Sequence, residues 1–548
     1  MLRDSRPRVS RAEIVLLAAL GAWALFPIVL LLAHASHTNT SFTGADGLIG
    51  ADGVLGADQL QYLAWARDAG AHGLASDLFS LAPSGHVYLE PLFTITGALW
   101  RIGLSLQLAY LLWKPVAVVV LALAAVAWAR RAFADQLAAR AAAVALALFL
   151  YTPLTALFSW AQLGGGRFRF QLYLLGYELL AANKLWGYVP SAIGLALVPV
   201  ALLAVERAID PALRLGQTPR AAPRGAGPRV QRGPLLVAML AALLASWLHP
   251  WQGITLIVIF VGLAVWRRGR RQRGWLALAA PAIVAALPLG YYYLLSHSDP
   301  AWKLASHYEV VGRLAPLVLL AGFGPLAVIA VAGLSRPKGV VIEQALLLWV
   351  AACFLTYFVN DAFAPHALQG LSFPFAVLAV RGWRRLRLPA AVGAVAVALL
   401  TIPGLAYDAR KFARVARSQT VQYYLPRSDQ RALAWVSGAA PRGGVLAPTP
   451  FAIVIPAQTG RAVWVGHGYW SRNYFPRSRE ANSLFRGRMH PARARAFVLA
   501  TGAALLVSDC AHRADLSGEL RPLVRFTQRF GCAKVYALAG NRRRSARP

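Results

Sequence analysis

The sequence predicts an α-helical polytopic membrane protein of about 11 transmembrane helices followed by a small C-terminal α/β domain, and three observations predict it. Of 548 residues, 58% are hydrophobic and only 14% charged, whereas soluble chains carry about 25% charge and at this length split into several cores. The apolar residues fall into runs of about 17 to 25 with almost no charge inside, the length that crosses a bilayer core. From about residue 421 those runs give way to short helical and strand patterns in alternation, the signature of a small α/β domain.

The net charge of +34 does not point to nucleic acid. The arginines stand mainly in short clusters between apolar runs, where they set topology, and in the tail. Three cysteines cannot build a disulfide scaffold. Cys353 lies in an apolar run and reads as a small core residue. Cys510 and Cys532 both lie in the tail domain and are one disulfide candidate if that domain faces an oxidising space.

Eleven candidate spans follow in order: 12–35, 106–129, 138–160, 188–206, 234–248, 251–266, 275–295, 314–334, 342–360, 366–382 and 388–405. Arg3, Arg6, Arg8 and Arg11 precede the first, and Arg130, Arg131 and Arg140 lie between the second and third. A Pro- and Gly-rich loop bearing Arg207, Arg214, Arg220, Arg224, Arg229 and Arg232 follows the fourth. Arg267 to Arg273 follow the sixth, Arg336 and Lys338 the eighth, and Arg381 to Arg387 the tenth. Every second gap is basic, which places the N terminus and these loops in the cytoplasm of a cell bounded by this inner membrane. An odd count then puts everything after residue 405 outside. The fifth and sixth runs are short and meet at His249-Pro250-Trp251-Gln252-Gly253, which reads as a hairpin turn. Ala33-His34-Ala35 resembles a signal-peptidase site, but the run before it is long for a signal core and suits an uncleaved anchor.

Polar chemistry collects on the expected outer side. Segment 36–105 holds Asp46, Asp52, Asp58, Asp68, Asp77 and Glu90 against Arg67 and Arg101, a net charge of −4 in a strongly basic chain. A small repeat, Gly44-Ala-Asp-Gly, Gly50-Ala-Asp-Gly, Gly56-Ala-Asp58, is explained by loop duplication or by a cation site, and it matches no calcium-loop spacing. Asp58 stands as the N-cap of a helical pattern through Asp68, with Leu60, Leu63 and Ala64 on one stripe. A plain cap and a reactive carboxylate both fit it. A second apolar helix begins near His86-Val-Tyr-Leu-Glu90 and runs to about Leu104. Two further stretches are polar and aromatic: Gly164 through Arg167, Arg169, Glu178, Asn183, Lys184, Trp186 and Tyr188, and the His249 turn with Trp251 and Gln252. Lys184 and Arg167 suit a lipid phosphate or ordinary interfacial anchoring. His249 is costly to leave unpaired at the membrane, and His366, opening the tenth run, joins the same set of binding candidates.

The tail reads as a helix at 428–437, short strands at 444–446 and 463–465, helices at 478–487 and 491–501, strands at 504–508 and 533–538, and a helix near 518–529 between the last two. Cys510 ends one strand and Cys532 begins another. His467 and Trp470 fit either loop packing or a cavity. Residues 541–548 form a basic tail expected to be disordered.

Several phrases together resemble the GT-C superfamily of membrane glycosyltransferases: Ala57-Asp58-Gln59-Leu-Gln-Tyr62-Leu-Ala-Trp65, Leu112-Trp113-Lys114-Pro115, Leu185-Trp186-Gly187-Tyr188, His249-Pro-Trp-Gln-Gly253, and Gln458-Thr459-Gly460-Arg461 running into Trp464-Val465-Gly466-His467. The resemblance implies a GT-C-like domain over 1–405, an extracytoplasmic domain over 406–540, and a polyprenyl-phosphate sugar as donor. The acceptor would be a cell-envelope glycan or lipid. It implies that Asp58 is the base on the acceptor hydroxyl, and that a divalent cation is possible with its ligands unknown. Gln59 stands where many relatives carry a second acid, which weakens the case for that metal. Gln59, Tyr62, Glu90, Lys114, Glu178, Lys184, Trp186, His249, Trp251, Gln252 and His366 are the substrate-binding candidates. Lys114 sits beside Pro115 inside an apolar run, where a charge is expensive unless paired, and is the favoured phosphate partner, with snorkelling to the outer interface as the alternative. The competing readings are a transporter or lipid flippase, which would show paired halves and midplane charges, and an inactive membrane scaffold.

Overall fold

The computed structural model describes residues 10–48, 55–209, 230–269, 274–308, 312–334, 340–360, 362–418 and 420–539. Arg3, Arg6, Arg8, Asp52, most of the basic loop after residue 209, Arg270, Arg271, Arg273, Arg336, Lys338 and the tail 541–548 lie outside these residues.

Seven described helices are long and apolar enough to cross a membrane: Arg11–Thr38, Leu106–Phe133, Val189–Ile209, Pro250–Gly269, Trp275–Ser298, Val341–Val359 and Ala390–Ala416. Leu137–Phe149 and Pro153–Ala161, bent by 49°, make an eighth when taken as one span. Pro153 sets that break, since a proline starts a helix readily but turns the residue before it away from helical geometry. The remaining three expected runs are shorter helices: Arg232–Leu248 and Pro316–Ala332 of 17 residues each, and Ser372–Arg385 of 14. The protein is thus a multi-pass membrane protein, with seven or eight candidate spans by length and composition among the described residues, where eleven runs were expected.

The chain divides into two compact units. The first comprises Met1–Leu25, Trp113–Tyr293 and Val310–Lys411. Its core is centred on Val189–Ile209, whose apolar stretch is 83% buried. Small residues let its helices touch. A side chain at Gly253 would meet Ser246 Oγ at 2.2 Å, so the helices either side of His249 fold back on each other as a hairpin. The arginines of the basic clusters fork onto carboxylates: Arg131 onto Glu206 at 2.7 and 2.8 Å, Arg140 onto Glu13 at 3.0 and 2.5 Å, and Arg381 onto Glu343 at 2.7 and 2.8 Å.

The second unit comprises Phe26–Leu112, Leu294–Glu309 and Phe412–Pro548, so the long loop after the first span and the tail fold together. Strand β1 (Thr40–Phe42) pairs antiparallel with β2 (Tyr424–Pro426). Helices Leu55–His72 and Pro91–Arg101 cross at Gly70 and Gly97, where an added side chain would run into backbone at 2.5 Å or less. Asp58 lies in the first turn of its helix, which begins at Leu55, and is not its cap. Glu90 is itself the N-cap of the next helix, which starts at Pro91 and not at His86.

The tail carries a four-stranded sheet in the order β3-β4-β6-β5, with β3 Val445–Leu446, β4 Leu505–Ser508, β5 Val524–Phe530 and β6 Ala533–Leu538. β3 and β4 are parallel; β4, β6 and β5 are antiparallel. Helices Arg427–Gly438, Tyr474–Phe485 and Pro491–Thr501 accompany it, and Leu446, Val465, Leu484, Phe485, Leu506 and Tyr536 form its core. The helix expected near 518–529 is β5. Its Val524, Phe526 and Phe530 carry a period-2 pattern, shifted by the irregularity between Val524 and Phe526, and the two-residue connection of Gly531 and Cys532 leaves room only for a hairpin onto β6. Cys510 and Cys532 follow β4 and precede β6, and the structure joins them as a disulfide with Cα atoms 4.8 Å apart. Cys353 is buried and free.

Candidate active site

In the second unit the helix Leu55–His72 presents Asp58 and, one turn on, Tyr62. Asp58 keeps about a fifth of its side chain exposed, and its Oδ1 lies 3.2 Å from Nε2 of the fully buried His467. The imidazole is fixed from behind. Its Nδ1 accepts the Tyr469 N–H at 3.2 Å, which leaves the proton on Nε2, facing the carboxylate. Ser471 Oγ accepts the N–H groups of Gly466 and His467 at 2.9 and 3.2 Å and donates to the Phe79 carbonyl at 2.8 Å, pinning the loop that carries the histidine. A hydrogen bond from a fixed donor orients a carboxylate.

Gln59, expected to touch substrate, is buried and closes the loop before it. Its Oε1 accepts Asp46 N–H at 2.5 Å and Gly47 N–H at 2.8 Å, and its Nε2 donates to Asp46 Oδ1 at 2.8 Å. A second carboxylate at position 59 would face Asp46 and lose the amide donor. Asp58 thus has one imidazole beside it, and among the described residues it belongs to no group of three metal-binding side chains. Tyr62 stacks on Phe93 at 5.1 Å, beside an aromatic group of Trp65, Tyr88, Trp302 and Trp470 with centroids 4.6 to 6.1 Å apart. Glu90 is buried. Its Oε2 accepts the Phe93 N–H at 2.7 Å, Oε1 has no partner among the described residues, and burial pushes the carboxyl up to about 8.

In the first unit the structure gathers most of the other candidates. Glu178 Oε2 takes Lys184 Nζ at 2.9 Å and Gln369 Nε2 at 2.5 Å, while Glu178 Oε1 lies 3.2 Å from His366 Nδ1. Burial alone would raise this carboxyl, but the Lys184 ammonium and His366 hold it well below the usual carboxylate range. The His366 ring lies 4.9 Å from Trp251 and 5.7 Å from His249. Gln252 donates to the Gln369 carbonyl at 3.3 Å. His249 Nδ1, Gln252 Oε1 and Gln369 Oε1 are buried without hydrogen-bond partners among the described residues. A buried polar atom so placed is expensive unless something meets it.

Lys114 and Trp186 are placed differently. Lys114 is buried with its Nζ 2.5 Å from the Leu185 carbonyl, so it ties down the turn Ala181–Leu185 that carries Lys184. Trp186 is fully buried, stacked on Trp23 at 4.1 Å and donating to the Trp23 carbonyl at 2.7 Å. Sequence reasoning missed Gln369 and the role of His467. It named Asn183 but missed its partner Asp408, to which Asn183 donates at 2.6 Å within the same buried unit. Gln369 offered no signal, being one amide in an apolar neighbourhood. His467 lay 409 positions from its partner, a separation no local pattern reports.

No protein-family model matches this sequence, and no curated protein does. Solved structures do match in fold. The Archaeoglobus fulgidus oligosaccharyltransferase in its apo form is 13% identical over 94% of this chain and 71% of that one, with a TM-score of 0.53. The oligosaccharyltransferase AglB of Archaeoglobus fulgidus, in complex with an inhibitory peptide and a dolichol-phosphate, is 14% identical over 93% and 70%, with a TM-score of 0.50. ArnT from Cupriavidus metallidurans bound to undecaprenyl phosphate is 14% identical over 95% and 99%, with a TM-score of 0.47. The chain shares the fold of the Archaeoglobus fulgidus oligosaccharyltransferase.

Proposed function

We propose that this protein is an inverting glycosyltransferase that moves a sugar from a polyprenyl-phosphate donor to an acceptor on the outer side of the membrane, with Asp58 as general base. The observation that carries the reading is the Asp58–His467 pair: a part-exposed carboxylate, on a helix of the outer loop, oriented by a buried imidazole from the tail. In the reaction the acceptor hydroxyl gives its proton to Asp58 while its oxygen attacks the anomeric carbon. The bond from that carbon to the phosphate oxygen breaks, and polyprenyl phosphate leaves with the electron pair. His467 Nε2–H keeps the carboxylate aimed. Donor recognition is assigned to the buried set of Lys184, His366, His249 and Gln252, whose cation and unsatisfied polar atoms suit a phosphate-bearing headgroup. Lys114 acts there by fixing the Lys184 turn.

The test is sugar transfer from a polyprenyl-phosphate pool in membranes, with variants matched for expression. Asp58→Asn should lose roughly 10²- to 10⁴-fold in rate, the usual cost of a missing general base, with insertion and folding intact. Asp52→Asn, in the same repeat, should be near parental. Equal activity in Asp58→Asn and the parent sinks the assignment.

A further inference from the structure

The last turns of the helix Leu55–His72 hold a second group of side chains that the proposed reaction does not use. Asp68 and His72, four residues apart, share one helix face. The loop that follows returns through the antiparallel bridge Ala75–Tyr88 and sets His86 beside them. His72 Nδ1 lies 2.8 Å from Asp68 Oδ1 and His86 Nδ1 lies 3.1 Å from Asp68 Oδ2. The two rings stack with centroids 4.0 Å apart. The carboxylate is buried and steadied from outside the group, because its Oδ2 also accepts the N–H and the Oγ–H of Ser76 at 2.7 Å each.

We propose that Asp68, His72 and His86 bind one divalent cation of the zinc class. One ligand atom from each residue lies within 4.8 Å of the others. A tetrahedral zinc ion would draw such atoms to about 3.3 Å apart, given bonds of about 2.0 Å. Two exposed imidazoles can make that adjustment by side-chain rotation, with the buried carboxylate as the fixed point. Two nitrogens and one carboxylate suit zinc, cobalt or nickel, whereas calcium and magnesium demand oxygen ligands throughout. The Ser76 contacts supply the outer-shell orientation that metal-binding carboxylates require. Three protein ligands leave a fourth position open. All three residues line a cleft of about 670 Å³ that Arg442 and Arg461 also line, so the open position suits water or an anionic group. The site is distinct from the proposed base: ten residues separate Asp68 from Asp58, about 15 Å along one helix.

The experiment uses the full-length protein in detergent, freed of any histidine tag, stripped with chelator and re-loaded with Zn²⁺ or Co²⁺ alone. Metal content after desalting should approach one ion per chain, and Co²⁺ should give visible d–d absorption of a low-symmetry, few-coordinate site. His72→Ala and His86→Ala, both exposed and harmless to the core, should each lower the affinity at least tenfold and remove that absorption. Asp58→Asn and His467→Gln should leave stoichiometry unchanged, which separates this site from the catalytic assignment whichever way that assignment is decided. Less than a tenth of an ion per chain, or undiminished binding in the double histidine variant, would overturn the proposal and leave the three residues a hydrogen-bonded trio.

Discussion

Glu90 shows at the scale of one residue how burial changes what a carboxyl does. It was singled out as a ligand because it stood in an acidic outer loop; the structure makes it a buried helix cap whose carboxyl titrates near pH 8. The folded state therefore holds a proton that the unfolded chain releases at the ordinary carboxylate value. Stability is fully present below about pH 4.5 and falls as pH rises towards 8, by an amount on the order of a few kcal/mol. Asp77, pushed up to about 7 by burial, adds to the same slope. Glu90→Gln keeps the oxygen that accepts from Phe93 and has no proton to lose. Its melting temperature in detergent should match the parent near pH 5, exceed it near pH 8.5, and show a shallower decline between. A variant that melts below the parent at both ends would show that the charged form is the one the fold needs. The same contrast explains what was legible at the site. Residue type and position identified Lys114 and His249 as groups that must find partners, and Asp58, Lys184 and Glu178 as site candidates. Which partner each finds, such as Gln59 for Asp46 or Leu185 for Lys114, depends on folds of chain that no local pattern encodes.

Between elements, the contacts that position Asp58 are made by glycines. Gly97 lies against the Ala66 carbonyl and Gly70 against Gly97, so the helix bearing Asp58 and Tyr62 rests directly on backbone. Gly97→Ala would place a methyl 2.3 Å from the Ala66 oxygen. The two helices must then part, at a cost of roughly 1–3 kcal/mol. We expect a lowered melting temperature together with a loss of transfer activity, whereas Gly518→Ala, with open space around it, should change neither. Unchanged stability in Gly97→Ala would mean that the helices do not pack as closely as described. Element type was readable where periodicity was long: each of the eleven apolar runs has a helix, and the His249 turn is the hairpin its short flanks suggested. It failed at Val524–Phe530, where seven residues with one irregularity hide a strand. The second outer helix starts at Pro91 because the Glu90 side chain caps it, accepting from Phe93 N–H.

For the whole molecule, the orientation expected in the membrane rests on charge. Arg131, Arg140 and Arg381 pair with Glu206, Glu13 and Glu343, and the sequence of the basic loops carries a surplus of arginine over acid. Such surplus is retained in the cytoplasm. The orientation can be read with cysteines because the parent is quiet: Cys353 is buried, and Cys510 and Cys532 are joined to each other. Gly518 is exposed and has room for a side chain. A cysteine there should react with a membrane-impermeant maleimide in intact cells. A cysteine at Gly225, in the long basic loop, should react only after the membrane is opened. The reverse pattern would invert the protein and place Asp58 and the tail on the cytoplasmic side, where an outer acceptor could not reach them. Protection of both sites in intact cells would put Gly225 and Gly518 on the same side and make the number of crossings between them even, where the charge alternation requires an odd number.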